Sequence, residues 1–195
     1  VNIKKSSKIY GDKDKIKEVL INLSGNSIKF TDKGGKIEIG ADLWPTDRVQ
    51  RRYGKMEQDD KKHSSDKTNL LPAYSQDKYQ DLIGDNQLVI WVKDNGIGIE
   101  EEDLSKLFEK FSRLDKWTSH SIQGTGLGLY ISKALVLMHY GKIWAESKGK
   151  NKGSKFYFSL PLADKKELID RRDKSIPKAG DAKPLAKKRQ AEKEL

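Results

Sequence analysis

The sequence contains no cysteine, which excludes a disulfide framework, a thiolate nucleophile and a cysteine-based zinc site. It has only three histidines, His63, His120 and His139, and their wide spacing makes no metal-binding motif. No apolar run approaches the roughly 18 residues that a membrane-spanning helix needs, and we expect no signal peptide at the start of the chain. We therefore expect no membrane contact by this chain.

Positive charge is in excess, because 39 lysines and arginines face 29 acids for a net charge of +10. A basic protein invites a nucleic-acid interpretation. Much of the excess lies near the C-terminus, however, and no alternation of aromatic and basic residues resembles a nucleic-acid surface. The charge indicates solubility and linker character, with acidic partners as the alternative, and we expect no nucleic-acid partner.

Hydrophobic periodicity divides the chain into helices and strands. The first helix, residues 12–30, starts at a capping residue, Asp12, and carries an apolar stripe that includes Val19 and Leu23. The run at 87–93 is almost continuously apolar and predicts a central strand. The other predicted elements are a strand at 36–43, a short helix at 101–111, a long helix at 126–140 and a closing hairpin of strands at 142–148 and 154–162.

Two polar segments do not fit a compact domain. Residues 44–86 separate two predicted strands by far more than the about 2–5 residues of a hairpin loop, so we interpret them as an insertion. A few apolar residues between 70 and 83 suit a short helix in it, but no core. Residues 163–195, rich in Lys, Ala and Glu, predict a charged linker or frayed helix. The expected domain is therefore residues 1–162, with a polar insertion at 44–86.

One face of the first helix is polar beside the core. Asn22, Asn26, Lys29 and Phe30 follow one another at i, i+4, i+7 and i+8, so they share a face next to the apolar stripe. Amide oxygens suit a Mg²⁺ ion that keeps most of its waters, and a lysine one turn later suits phosphate. Two solvated asparagines on a helix surface are the ordinary alternative.

Two glycine-rich turns supply further candidate residues. Asp94 ends a buried strand and precedes Gly96 and Gly98, and such a carboxylate can accept from an exocyclic amine, as adenine offers. A plain strand-to-helix turn uses the same residues. Residues 124–129, GTGLGL, open the long helix and suit an anion at its start, although their spacing is neither that of a dinucleotide fold nor that of a P-loop. A flexible hinge is the alternative there.

The segment between the two turns has the composition of a lid over phosphates. Phe108 and Phe111 lie one turn apart on the predicted short helix, and Arg113 and Lys116 precede a polar loop. The two phenylalanines suit a latch that docks a mobile cover on the domain. Ordinary core packing of both rings is the alternative.

The order of these motifs resembles that of a known family. NLSGNSIKFT, DNGIGI, LFEKF and GTGLGL resemble the N box, first glycine box, F box and second glycine box of sensor histidine kinases, and GSKFYFSLPL resembles the closing strand of that family. The resemblance runs from Ile9 to Leu162, interrupted by the insertion. It implies the Bergerat ATP-binding fold, a two-layer α/β sandwich with a mixed, mostly antiparallel sheet of about five strands and three helices on one face.

The resemblance also implies a role for each candidate residue. Asn26, with Asn22 beside it, would hold Mg²⁺, and Asp94 would accept the adenine amino group. Lys29 and Arg113 would meet the phosphates. The implied catalytic residues are Asn22, Asn26, Lys29 and Arg113, and the implied metal ligands are Asn26 and Asn22. The implied ATP-binding residues are Asn26, Lys29, Phe30, Asp94, Gly96, Gly98, Ile99, Phe108, Gly124, Thr125, Gly126, Leu127, Gly128 and Leu129.

Some positions depart from the family pattern. Ser27 stands where Ala is frequent, Ser154 replaces a common Thr, Tyr140 replaces one of two usual glycines, and Gly25 is a weak helix former. None of the three histidines has the sequence context of a phosphoacceptor. We therefore expect the catalytic half of a kinase, whose dimerisation hairpin with the acceptor histidine lies upstream of Val1.

The resemblance implies ATP and Mg²⁺ as cofactors and a two-component phosphorelay as the setting. The expected partners are the protein's own dimerisation domain, within a homodimer, and the receiver domain of a response regulator. The expected location is the cytoplasmic side. The sequence leaves open the stimulus, the cognate response regulator and a membrane anchor in the full-length protein.

Two other functional classes stay open. An ATP hydrolase of the same fold, of the gyrase, mismatch-repair or heat-shock chaperone type, would need a general base where Asn22 stands, and an amide cannot take a proton from water at neutral pH. Glu18, one turn earlier, is the only nearby carboxylate on this helix. The other class is a non-catalytic ATP-sensing module. Such a module usually loses the N-box asparagine or the glycines, all of which are present here.

Overall fold

An antiparallel sheet forms the framework of the domain. The computed structural model describes residues 8–9, 11–63, 84–112 and 125–162. The strands in these ranges are β1 (Ile37–Pro45), β2 (Asn86–Asp94), β3 (Ile143–Ser147) and β4 (Ser154–Pro161), in the sheet order β1-β2-β4-β3. The helices are α1 (Lys13–Lys29), α2 (Thr46–His63), α3 (Glu101–Leu104) and α4 (Gly128–Met138). None of these four helices has the length and apolar composition to cross a bilayer.

The predicted α/β sandwich is confirmed, with two differences in the sheet. All strand pairs in the described ranges are antiparallel, so this part of the sheet is not mixed, and it has four strands rather than five. A single antiparallel bridge between Ile9 and Leu162 extends the pairing beyond β4. The helices α1, α3 and α4 contribute Leu23, Leu104 and Val136 to one core on the inner face of the sheet, as the three-helix layer predicts.

The sheet is covered on both faces, which explains the nearly continuous apolar run of β2. Val92 packs in the inner core with Val19 and Leu23 of α1, whereas Val89 packs in a second cluster on the outer face. Successive side chains of a strand point to opposite faces, so a strand covered on both sides needs apolar residues at most positions. The inner core also contains Ile99, Leu107, Phe108, Ile143, Ala145, Phe156, Phe158 and Leu160.

The first part of the predicted insertion belongs to a core, and our interpretation of residues 44–86 as a segment without one is wrong there. Trp44 continues β1, and α2 buries Val49 completely against the outer face. The ring centroid of Trp44 lies 6.0 Å from that of Trp144 and 5.8 Å from that of Tyr157. We refer to Trp44, Val49, Val89, Trp144 and Tyr157 as the outer cluster. The short helix predicted between 70 and 83 lies outside the described residues.

Arginines of α2 fasten this helix to the outer cluster. The guanidinium of Arg48 lies 3.8 Å from the ring centroid of Trp44, and Arg52 forms an ion pair with Glu146 at 3.3 Å. The Tyr157 hydroxyl donates to Glu146 at 3.1 Å, and burial, together with this carboxylate, raises the pKa of Tyr157. These contacts involve charged side chains rather than an apolar stripe. Hydrophobic periodicity therefore did not predict α2.

The start of α1 is fixed by its cap and by α4. The Asp12 carboxylate accepts from the backbone N–H groups of Asp14 and Lys15 at 2.9 and 3.1 Å, and these bonds lower the pKa of Asp12. The Asp12 N–H donates to Nε2 of His139 at 3.0 Å, and Nδ1 of that ring lies 2.7 Å from the Leu135 carbonyl oxygen. Because a carbonyl only accepts, Nδ1 carries the proton. Nε2 of His139 therefore joins the end of α4 to the start of α1, while Nδ1 fixes the ring to α4 itself.

Candidate functional site

Asn22, the first residue of the polar face, contacts the start of α4. Its Nδ2 atom lies 3.4 Å from the carbonyl oxygen of Gly128 and 3.2 Å from Oγ of Ser132. Since a carbonyl cannot donate a hydrogen bond, the amide nitrogen rather than the amide oxygen must face Gly128. The Asn22 side chain therefore has one orientation, in which its oxygen is left for a donor or a cation.

The later residues of the polar face differ in their exposure to solvent. Asn26 is half-buried one turn after Asn22, and Lys29 is exposed, with Nζ 5.3 Å from the ring centroid of Phe30. Across the described ranges, no group of three or more His, Cys, Asp or Glu side chains could hold a metal ion. The amide oxygens of Asn22 and Asn26 are hard ligands of the kind that Mg²⁺ accepts beside water and phosphate. These residues fit that ion.

Asp94 ends β2 and is only 5% exposed. Its Oδ1 atom accepts from the backbone N–H groups of Gly96 and Ser154, both at 3.0 Å. Its Oδ2 atom accepts from the hydroxyl groups of Ser27 at 3.0 Å and Ser154 at 2.6 Å. Four hydrogen bonds thus hold this carboxylate where α1, β2 and β4 meet, and they offset the cost of burying it.

Ser27 and Ser154 are not among the predicted site residues, because in the sequence both stand out only as departures from the family pattern. A signal for Ser27 was present. It lies one turn after Leu23 and two turns after Val19, so it falls on the apolar face of α1. A hydroxyl on a core face needs a buried partner. Asp94 is the partner that the structure supplies.

The turn after β2 is pressed between two other parts of the chain. A Cβ atom on Gly96 would collide with the carbonyl oxygen of Phe30, and one on Gly98 would collide with that of Gly149. Gly98 also has a φ of 70°, which favours glycine. The Ile97 N–H donates to the Phe30 carbonyl at 3.1 Å and fixes the turn to the end of α1. Close approach of the chain to itself therefore requires both glycines, besides their predicted role toward a flat ligand.

The second glycine turn leads into α4 without a capping side chain among the described residues. Gly126 has a φ of 69°, and Oγ1 of Thr125 accepts from the Leu127 N–H at 3.4 Å. The N–H groups of Gly128 and Leu129 belong to the first turn of α4, where no helical acceptor precedes them. They are candidate donors to a phosphate. Gly124 and Arg113 lie outside the described residues, and the roles predicted for them stay predictions.

The short helix predicted at 101–111 forms only over its first turn. α3 ends at Leu104, and turns follow. Phe108 is 3% exposed in the inner core, whereas Phe111 is 62% exposed with a φ of 60°. The two rings occupy different environments. The alternative of ordinary core packing holds for Phe108 but not for Phe111, and the two rings do not form a common latch. Ile99 also packs in the inner core, and the nucleotide contacts predicted for Ile99 and Phe108 stay predictions.

The separate parts of the candidate site meet along α1. The C-terminal half of this helix holds the first glycine turn through the Ser27–Asp94 hydrogen bond and the Phe30 carbonyl. Asn22 holds the second glycine turn at Gly128. Asn26 lies on α1 between these two attachments. One helix thus carries the amides and is bonded to both the buried carboxylate and the start of α4.

Comparison with known proteins adds an independent finding. Residues 11–164 match the protein family described as histidine kinase-, DNA gyrase B-, and HSP90-like ATPase. The adaptive-response sensory kinase SasA of Thermosynechococcus vestitus is 32% identical over 154 residues, which cover 79% of this chain and 30% of that protein. The sensor histidine kinase WalK of Bacillus subtilis (strain 168) is 32% identical over 156 residues, which cover 80% of this chain and 19% of that protein.

The chain spans less than a third of the length of these two relatives, at 30% and 19%. Among solved structures, the mycobacterial sensor histidine kinase MprB is similar with a TM-score of 0.50 and 21% sequence identity. That similarity covers 80% of this chain and 76% of the other chain. At this identity it shows a common fold.

Proposed function

Because this chain belongs to the histidine kinase-, DNA gyrase B- and HSP90-like ATPase family, we propose that it is the ATP-binding catalytic domain of a sensor histidine kinase. The observation that carries the proposal is the bonding of α1 to both ends of the site, to Asp94 through Ser27 and to the start of α4 through Asn22. The reaction transfers the γ-phosphoryl group of ATP to a histidine on a separate dimerisation domain.

Asp94 sets the choice of base. A carboxylate that accepts hydrogen bonds selects a base edge that donates, and adenine presents its amino group there. The two hydroxyl groups on Oδ2 can rotate, so the amine can join or replace them. Phe30, at the end of α1, would pack its aromatic ring against the base. Gly96 and Gly98 shape the turn, with Ile99 and Phe108 in the core that supports it.

The phosphate end of the site is built from α1 and α4. Asn22 and Asn26 would hold Mg²⁺ through their amide oxygens, and the bound ion supplies positive charge against the phosphates. Lys29 adds a cationic side chain to the same face. The backbone at the start of α4, which includes Thr125, Gly126, Leu127, Gly128 and Leu129, would receive the phosphate oxygens, with Arg113 and Gly124 as further predicted contacts.

We expect the chain to bind ATP in the presence of Mg²⁺ and to hydrolyse it slowly, at a rate that Glu18→Gln leaves unchanged. An amide at position 22 cannot activate water. The side chain of Glu18, one turn earlier on α1, is 43% exposed and pairs with Lys15 at 3.5 Å. The measurements are a calorimetric titration with ATP and a phosphate-release assay.

Asp14→Asn is the matched control for Glu18→Gln, since Asp14 is an exposed acid in the first turn of the same helix. Rapid hydrolysis that Glu18→Gln abolishes and Asp14→Asn spares would reassign the chain to the ATP hydrolases. Failure of the wild-type chain to bind ATP would refute the proposed function itself. An Asn26→Ala variant that binds ATP with Mg²⁺ as tightly as wild type would favour the non-catalytic module.

The wider setting follows from the kinase proposal. The proposed partners are the dimerisation domain of the same protein, as a homodimer, and the receiver domain of a response regulator on the cytoplasmic side. The names and greater lengths of SasA and WalK support this setting. It is tested in the full-length protein with γ-labelled ATP, where acid-labile label on histidine supports the proposal and stable label on serine contradicts it.

We further propose that residues 1–162 form the binding domain, including the segment 44–86, and that residues 163–195 are a linker. The support is that β4 ends at Pro161 and that Leu162 makes the last described strand contact, with Ile9. A chain shortened after Ala163 should bind ATP within about twofold of the wild-type affinity, a change of less than about 0.5 kcal/mol. A larger loss would place part of the C-terminal segment in the site.

A further inference from the structure

Ser132 is a buried hydroxyl that neither the motifs nor the proposed function uses. It lies on α4 one turn after Gly128 and has no exposed surface. A hydroxyl group buried in a helix interior is unfavourable unless it makes a hydrogen bond. Ser132 Oγ receives the second N–H of the Asn22 amide, at 3.2 Å. It therefore binds the side chain that the proposed function places at the metal.

We propose that Ser132 is the positioning residue for Asn22, and this inference rests on the proposed function. The Gly128 carbonyl determines which end of the amide faces α4, and Ser132 receives the remaining N–H. Together they hold the plane of the amide and leave Oδ1 of Asn22 on the side of the metal and phosphates. Ser132 itself contacts neither group.

The hydrogen bond between Asn22 and Ser132 also links two helices. It joins the helix that carries the amide ligands to the helix whose first N–H groups are the candidate phosphate donors. A displacement of α4 would therefore turn the Asn22 amide as well as move the N–H groups of Gly128 and Leu129. Binding of the ion and binding of the phosphates are thus linked through one fully buried hydroxyl.

The test compares ATP affinity with Mg²⁺ and with EDTA for wild type, Ser132→Ala and Ser159→Ala. Ser159 is the matched control, because it is also completely buried and its Oγ also receives one N–H, from Lys142 at 3.0 Å. It lies on β4, among the residues of the outer face. Each variant removes one buried hydroxyl that accepts one hydrogen bond.

We expect Ser132→Ala to reduce the gain in affinity that Mg²⁺ gives by about three- to tenfold, the effect of one neutral hydrogen bond. Affinity in EDTA should stay at the wild-type value, because the base and the backbone donors are untouched. Ser159→Ala should leave both affinities unchanged. In an Asn22→Ala background, Ser132→Ala should have no further effect on the Mg²⁺ gain, since the side chain that it positions is gone.

Several outcomes would overturn the inference. Equal losses with Mg²⁺ and with EDTA, an equal loss in Ser159→Ala, or additive effects of the Asn22 and Ser132 substitutions would each assign Ser132 a general packing role. If Ser132→Ala does not fold, Ser132→Cys keeps more of the volume with a weaker acceptor and should show the same selective loss. A wild-type chain without Mg²⁺-dependent ATP binding would instead overturn the proposed function, and this inference with it.

Discussion

Asp94→Asn is expected to lower ATP affinity about 100-fold, in the range found for removing one partner of a buried charged hydrogen bond. The amide oxygen of the variant must take the Oδ1 position, because the two backbone N–H groups there can only donate. The new NH₂ group then occupies the Oδ2 position, where the hydroxyls of Ser27 and Ser154 can rotate to accept from it. Each protein group around position 94 therefore keeps a hydrogen-bond partner. The variant, however, presents a donor to the amine of adenine, which is also a donor.

Inosine triphosphate tests this change from an acceptor to a donor at position 94 most directly. Inosine triphosphate carries an oxygen where ATP carries the amine, so its affinity should fall less than that of ATP, or rise. Both affinities are measured by titration calorimetry on one preparation. Asp103→Asn is the matched control, because Asp103 is the other buried aspartate of the described residues and lies on α3. A parallel fall for both nucleotides would mean that Asp94→Asn disturbs the fold, and unchanged ATP affinity would exclude Asp94 from base recognition.

Trp144→Ala is expected to lower the free energy of unfolding by about 3–5 kcal/mol, the usual cost of truncating a buried tryptophan. Trp144 is 2% exposed, stacks on Tyr157 with centroids 5.0 Å apart, and contacts Trp44. The ATP affinity of the folded protein should be unchanged, because the outer cluster lies on the face of the sheet opposite α1. The measurements are urea unfolding at equilibrium and ATP titration well below the unfolding midpoint.

Trp91→Ala provides the comparison for this variant. Trp91 lies on the same face but is only half-buried, and its Nε1 donates to Asp42 at 2.8 Å. We expect a smaller loss of stability than for Trp144→Ala. If ATP affinity falls together with the free energy of unfolding, the two faces of the sheet are not independent of each other. Such a result would show that α2 and the outer cluster act on the nucleotide site.

The elements that the sequence predicted are those whose pattern is local. α1 has a capping aspartate and an apolar stripe at helical period, and β2 has a run of apolar residues bounded by a turn. α2 has neither signal. The contacts of its first half come from Val49 and from two arginines, whose partners lie on other elements. The sequence also did not predict that α3 ends after a single turn. The pattern of charged and apolar residues continues past Leu104, although the chain turns there.

In the site too, local patterns predict some residues, whereas contacts between distant parts of the chain determine the others. Helical spacing alone places Asn22, Asn26 and Lys29 on one face, so these could be predicted without any contact. The roles of Ser27 and Ser132 depend on which helix or strand packs beside α1, and no local pattern contains that information. A hydroxyl at an otherwise apolar position is the only trace that such residues leave in a sequence. It indicates that a buried partner exists, but not which residue it is.

The hydrogen bonds of Asp94 also have a consequence for the order of folding. Their hydroxyl donors are separated from Asp94 by 67 and 60 positions along the chain, before and after it. Closing such long loops is slow, and neither half of the chain contains a complete set of donors. The carboxylate is therefore fully satisfied only after α1, β2 and β4 have assembled. Nucleotide would then bind only to the fully folded domain. By mass action, this binding would stabilise the folded state against unfolding.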